Sequence, residues 1–251
     1  MRLPATLRRA ALALLLALSL APAARADPDA LWRIVHGQCV PDQRDHARPA
    51  PCQAVSLDGG WAVLKDRRGA TQFLLIPTAR VTGIEDPAVL APDAPDYFAA
   101  AWAARGDVAA RAGRDLPRDA LSLAINSPSG RSQNQLHIHI DCLRPDIRAA
   151  LRVGAAAVGT DWAPLPGGLL GHRYLARRLD GADPAGPTPF RLLAAMPGVG
   201  AAGMAQWTLV LAGLPQGFLL LADRADPAAG DRASGEELQD HDCALAGAAA
   251  N

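Results

Sequence analysis

Near the middle of the chain, Gln135, His137, His139 and Asp141 alternate with Leu136, Ile138, Ile140 and Cys142. On an extended strand, alternate side chains share a face. The spacing therefore predicts an apolar face that belongs to a core and, opposite it, a row of one amide, two imidazoles and one carboxylate. Two imidazoles one residue apart suit three roles. They can ligate a transition ion, given a third ligand such as Asp141 or His241. They can lie on a solvated sheet face with no chemistry. Or one imidazole, largely unprotonated at neutral pH, can attack phosphorus while its neighbour steadies the phosphoryl oxygens. The segment just upstream, 127–134, is rich in donors and, with Arg131, suits a phosphate cradle.

The elements that must hold this row can be read around it. Residues 61–65 and 72–76 form a predicted hairpin about the turn Asp66-Arg67-Arg68-Gly69, stopped by Pro77. Residues 97–112 read as the main helix, with Asp96 as its cap. Strands are expected at 121–125 and 135–142, separated by a turn at 127–130. Pro145 then opens a helix to about Val153. A short helix is expected at 30–35, and 40–51 reads as a loop without a core of its own. Residues 207–211 and 217–222 read as a late hairpin. Ser234 and Glu237 match a capping box for a terminal helix, 234–246. No internal repeat is present, and hairpins with a few helices indicate an α+β class.

Composition narrows the function. Lys plus Arg equals Asp plus Glu at 25 each, which argues against a nucleic-acid binder. Residues 1–26 read as an export signal, with Arg2, Arg8 and Arg9, an apolar run from Ala10, and Ala24-Arg25-Ala26 as a cleavage site. The rival reading is a membrane anchor, but the uncharged stretch 10–24 is roughly 22 Å long as a helix, short of the ~30 Å hydrocarbon core. Those 26 residues hold four arginines and no acid, so the remainder carries 21 basic against 25 acidic residues. Export makes disulfides the natural use of the four cysteines. Of three possible connectivities, Cys39–Cys52 across the short loop is expected, leaving Cys142–Cys243.

The segment Asn126-(x)3-Gly130-Arg-Ser-Gln-(x)3-His137-x-His139 resembles the signature of the histidine-triad (HIT) superfamily, and 64–66 with 72–78 resembles that superfamily's opening hairpin. More closely, nearly the whole chain after residue 26 is similar to the bacterial CDP-diacylglycerol pyrophosphatase family. The likeness includes the Cys39/Cys52 loop, Ser122-Leu-Ala-Ile-Asn-Ser127, Cys142-x-Arg-Pro-Asp146, Gly171-His-x-Tyr-Leu-Ala-Arg-Arg178 and Gln239-Asp-His-x-Cys243.

The resemblance implies a HIT-like antiparallel sheet, a half-barrel with a main helix. Its core would span about 60–148, within a hydrolase domain of 27–251 extended from 149 onward. It implies cleavage of CDP-diacylglycerol to CMP and phosphatidate, without metal or cofactor. His137 would be the nucleophile, and His139 would contact the phosphate. Gln135 stands where the superfamily has a first histidine and would orient its neighbours by hydrogen bonding. Ser132 and Gln133 would donate to nonbridging oxygens, and Asn126 would position the phosphate or ribose. His172, Arg177 and Arg178 would face a second phosphate or a lipid headgroup; the plainer alternative for the two arginines is a solvated surface helix. Two other functions stay open: hydrolysis of a soluble nucleotide anhydride, and an inactive periplasmic nucleotide- or metal-binding module. The expected location is the periplasm at the inner-membrane surface. HIT proteins often form homodimers, which the C-terminal third would either permit or replace.

Overall fold

In the computed structural model, which describes residues 27–184 and 186–247, ten antiparallel strands form one open sheet. They are β1 (Ala54–Ser56), β2 (Trp61–Lys65), β3 (Phe73–Pro77), β4 (Leu121–Ile125), β5 (Ile138–Leu143), β6 (Ala163–Pro164), β7 (Leu175–Leu179), β8 (Trp207–Gly213), β9 (Phe218–Arg224) and β10 (Gln239–Asp240). Their order is β1-β2-β3-β5-β4-β8-β9-β7-β6, and β10 pairs with β5 at Cys142 and Leu143. The strands after residue 148 thus extend the same sheet, through β4 and β8. Residues 1–26, where the export signal is expected, lie outside the described residues. Among those described, no helix is long and apolar enough to cross a membrane.

The alternation read from the sequence sets the layers. Leu121, Leu123, Ile138, Ile140 and Cys142 face a core with Phe98 and Trp102. These two come from α3 (Tyr97–Ala103), which follows α1 (Ala30–Ile34) and α2 (Val40–His46). Asp96 caps α3 by accepting from Ala99 N at 2.9 Å, as expected. The main helix is nonetheless two helices, because α4 (Gly106–Ala112) starts afresh. Arg105 stacks over the Trp102 ring at 4.7 Å and donates Nη1–H to the Trp102 carbonyl at 2.7 Å, which occupies a helical acceptor. Gly106 adds little helix propensity at that point.

The opposite face of the sheet carries two apolar patches. One lies at β2 and β3, with Ala62, Leu64, Leu74 and Ile76 under α1 and the π-helical turn Val35–Cys39. The other lies at β8, β9 and β7, under α5 (Pro145–Gly154). Three shorter helices, α6 (Pro189–Ala194), α7 (Gly200–Gly203) and α8 (Ala244–Gly247), complete the fold. Between the two patches lies the polar row, with His139 and Asp141 on β5 and Gln135 and His137 in the extended segment before it, because the strand starts at Ile138 rather than at 135.

Three expectations need correction. Residues 40–46 are helix α2 rather than loop, and Val35 and Cys39 are fully buried against β2 and β3. The terminal helix forms only over its last turn, α8: 235–238 is a 3-10 turn, Gln239–Asp240 pairs with β5, and Ser234 makes no side-chain cap. Gly235 donates its N–H to Thr208 Oγ1 at 2.8 Å, and Cys243 is bonded to Cys142, so tertiary contacts override the capping pattern. Residues 175–179 are strand β7, paired with β9 along its length, rather than a surface helix.

The second bond, Cys39–Cys52, also forms. It ties the α1–α2 arm to the segment that leads into β1, with 13 residues of separation. A closed loop of that size is worth about 3 kcal/mol in the chain-entropy model. Changing both cysteines to serine is expected to lower the urea-unfolding free energy by about 2–3 kcal/mol. An unchanged midpoint would show that the apolar patch alone holds the arm.

Candidate active site

His137 and His139, the two imidazoles of the polar row, line a cleft of about 670 Å³. One wall is apolar: Ala30, Leu31, Ile34, Pro51, Leu64 and Leu74. The other is ionic, with Lys65, Arg67, Arg68, Arg131 and Arg232 against Asp27, Asp66 and Glu236. A cleft with five cations, three carboxylates and an apolar side fits an anionic ligand carrying an apolar part.

His137 and His139 stand side by side, with ring centroids 4.9 Å apart. His137 Nδ1 lies 2.7 Å from the Gln135 carbonyl oxygen. A carbonyl only accepts, so Nδ1 carries the proton and Nε2 the lone pair. Burial lowers the His137 pKa, which keeps the ring neutral. His139 Nδ1 lies 3.0 Å from Gln72 Nε2, whose amide donates to it. With that amide as donor, and with the ionised Glu236 carboxylate facing the other nitrogen, its proton is assigned to Nε2. That Nε2 is buried and has no hydrogen-bond partner; Glu236 Oε2 is 3.5 Å away. Burial holds the His139 pKa down to about 3, against the raising effect of Glu236. One ring thus offers a lone pair and its neighbour an unused N–H.

Below the pair runs a chain of charges. Asp141, fully buried at the inner end of the row, accepts from Thr71 Oγ1 at 2.7 Å and from Cys142 N at 2.8 Å. His241 donates Nδ1–H to Asp141 Oδ2 at 2.8 Å and faces Glu236 Oε1 through Nε2 at 3.2 Å. With both nitrogens donating, His241 is an imidazolium, and its bonds to Asp141 and then Glu236 raise its pKa to about 9. Burial pushes the Asp141 carboxyl up, opposed by the donors from His241 and Thr71. Burial also acts to raise Glu236, but His241 and His139 outweigh it and hold this carboxyl well below the usual range. Gly69 makes the junction possible: its φ is +61°, and a Cβ there would meet the His241 backbone oxygen at 2.5 Å.

The structure relocates several expected roles. Gln135 orients His137, but through its backbone carbonyl; its side-chain Nε2 instead donates to the Pro77 and Ala79 carbonyls at 3.0 and 2.8 Å. Asn126 is engaged with Glu236, donating to Oε2 at 3.0 Å and accepting from Glu236 N at 3.1 Å. Gln133 accepts from Leu31 N and donates to the Asp27 carbonyl, so it anchors α1. Arg131 makes two hydrogen bonds to Glu85, at 2.7 and 2.5 Å. The amides of Ser129 and Gly130 donate to Ser127 Oγ, so the expected cradle spends donors on itself. Ser132 remains exposed at the cleft edge.

His172, Arg177 and Arg178 do not line this cleft. Arg177 lies over the Trp162 ring at 5.7 Å, and Arg178 donates to the Ala155 carbonyl at 2.7 Å. The site instead includes residues given no role from sequence: Gln72, Glu236, Arg67, Arg68 and Arg232. His241, read as structural apart from its mention as a possible third metal ligand, also belongs to it.

Comparison with known proteins matches the chain to one family along almost its whole length. The family described as CDP-diacylglycerol pyrophosphatase matches residues 26–247. A protein of Yersinia pestis named CDP-diacylglycerol pyrophosphatase is 48% identical over 220 residues, which cover 87% of this chain and 85% of the relative. The chain belongs to the CDP-diacylglycerol pyrophosphatase family.

Proposed function

We propose that the cleft hydrolyses the pyrophosphate bond of CDP-diacylglycerol, giving CMP and phosphatidate through a cytidylyl-His137 intermediate. Family membership supplies the enzyme class, a hydrolase. The observation that carries the mechanism is the tautomer pair, a lone pair on His137 Nε2 beside an unpartnered N–H on His139 Nε2.

His137 Nε2 attacks the cytidine-side phosphorus. The N–P bond forms as the bond to the bridging oxygen breaks, and phosphatidate leaves with that electron pair. Its terminal phosphate is a good leaving group and requires no proton. The Gln135 carbonyl accepts from Nδ1–H throughout and so supports the positive charge on the ring. His139 Nε2–H donates to a nonbridging oxygen, where charge stabilisation is most valuable. Arg67, Arg68 and Arg232 neutralise the pyrophosphate at the mouth. Water then attacks the phosphorus, the N–P bond breaks, its pair returns to Nε2, and CMP is released as the water proton passes to solvent.

The hairpin β2–β3, helix α3 and strand β5 with the two histidines at its start support assigning the fold to the HIT type. The apolar wall suits the lipid part of the substrate. Two disulfides suit an oxidising compartment. Asp27, at the edge of the cleft, is where residues 1–26 join, which suits action at the inner-membrane surface after export.

Turnover in H₂¹⁸O, quenched in alkaline denaturant, tests the route. The label is expected in CMP, with a cytidylyl adduct on the peptide containing His137. Label in phosphatidate, or an adduct elsewhere, would overturn the assignment.

A further inference from the structure

A second polar cluster lies outside the cleft. His172 precedes β7, Asp223 sits on β9, and Asp231 begins the segment that leads to Glu236. One ligand atom from each lies within 4.8 Å of the other two. His172 Nδ1 is 3.7 Å from Asp231 Oδ2 and 2.8 Å from Glu237 Oε1. Tyr174, fully buried, donates its hydroxyl to the same Glu237 oxygen at 2.9 Å.

The decisive feature is Asp223. Its residue is only 2% exposed, and its Oδ2 has no hydrogen-bond partner. Asp231 is also buried, at 6%. Among the described residues, no lysine or arginine forms a salt bridge with either. Two buried carboxylates that face one another need a compensating positive charge or a shared proton.

We infer that His172, Asp223 and Asp231 form a binding site for a divalent transition ion, zinc or manganese, distinct from the catalytic cleft. One imidazole and two carboxylates are a donor set that such ions accept. The ion replaces the proton on His172, which is released to solvent, and water completes the coordination. Glu237, held by the Tyr174 hydroxyl, stands beside the His172 ring as an outer partner of that ligand.

The site has a structural consequence for the cleft. Asp231 and Glu237 bracket the stretch that delivers Glu236 to His139 and His241. An ion held there pins this stretch to β9 and to the segment before β7. The inference does not depend on which phosphorus His137 attacks.

Titration calorimetry of the full chain with zinc chloride and with manganese chloride, after chelator treatment, tests it. The parent is expected to bind one ion, and Asp223→Asn and His172→Gln are each expected to weaken binding by at least about tenfold. His137→Ala is expected to bind like the parent. Zinc is further expected to slow amide exchange in 231–238 in the parent but not in Asp223→Asn. Circular dichroism establishes that each variant is folded, and with two variants a failure of one still leaves a test. Binding lost in His137→Ala and kept in Asp223→Asn places the ion in the cleft and overturns the inference. No saturable binding by the parent overturns it too, and assigns a shared proton to Asp223 and Asp231.

Discussion

A His137→Ala variant is expected to release CMP from CDP-diacylglycerol at least about 10⁴-fold more slowly than the parent, on the scale seen when a covalent nucleophile is removed. Three observations set that expectation. The ring lines the cleft. Its Nδ1 proton is committed to the Gln135 carbonyl. Burial keeps it unprotonated, so its nucleophilic form is present at neutral pH. Substrate binding is expected to change little, because the cations at the mouth remain. Steady-state kinetics checks the rate, and binding of a nonhydrolysable analogue checks affinity. Residual activity within about tenfold of the parent would remove His137 from the role. Gln135→Ala retains the carbonyl that orients His137 and is expected to cost a small fraction of that loss. The contact that selects the His137 tautomer is a backbone one, which a change of side chain at 135 leaves in place.

The parts legible from sequence are those governed by local pattern. Residues 61–65 and 121–125 are strands with the expected bounds, because short apolar runs bounded by turn residues suit buried strands. Pro145 starts its helix as expected, because its missing N–H is no loss at the first turn. The polar row is real, and the apolar row opposite it is core. What escaped reading depends on contacts distant in sequence. Nothing local distinguishes Ser234-Gly-Glu-Glu237 as a turn from a capping box; Thr208 and the bond at Cys243 decide it.

His241 and Glu236 were hidden for the same reason, although one signal was available. A Cys142–Cys243 bond places residue 241 beside residue 141, and so puts an imidazole against the last carboxylate of the row. Arg177 and Arg178 show the opposite failure. An arginine pair suggests phosphate by composition, but on strand β7 the two point to opposite faces and are used by Trp162 and the Ala155 carbonyl.

The charge chain beneath the histidines should govern stability against pH. His241 has a folded pKa of about 9 against an unfolded value near 6.5. A raised histidine pKa means that the folded state binds the proton more tightly. Its contribution is therefore complete below about pH 6.5 and is lost as pH rises through about 9. A difference of this size corresponds to about 3 kcal/mol. The first cause of the shift is the hydrogen bond to Asp141. Asp141→Ala removes one partner of a buried ion pair and leaves His241, Thr71 and the Cys142 amide without their acceptor. The expected cost is about 3–5 kcal/mol at pH 6.5. Near pH 10 the cost is expected to be smaller, because the parent has by then lost the His241 proton as well. Urea unfolding of parent and variant at pH 6.5, 8 and 10 reads both effects, and other titrating groups cancel in the difference. Parallel stability curves would mean that Asp141 does not hold the proton on His241. Because His241 in turn holds Glu236 beside His139, the same titration should loosen the cleft above pH 9, with a fall in kcat that precedes unfolding.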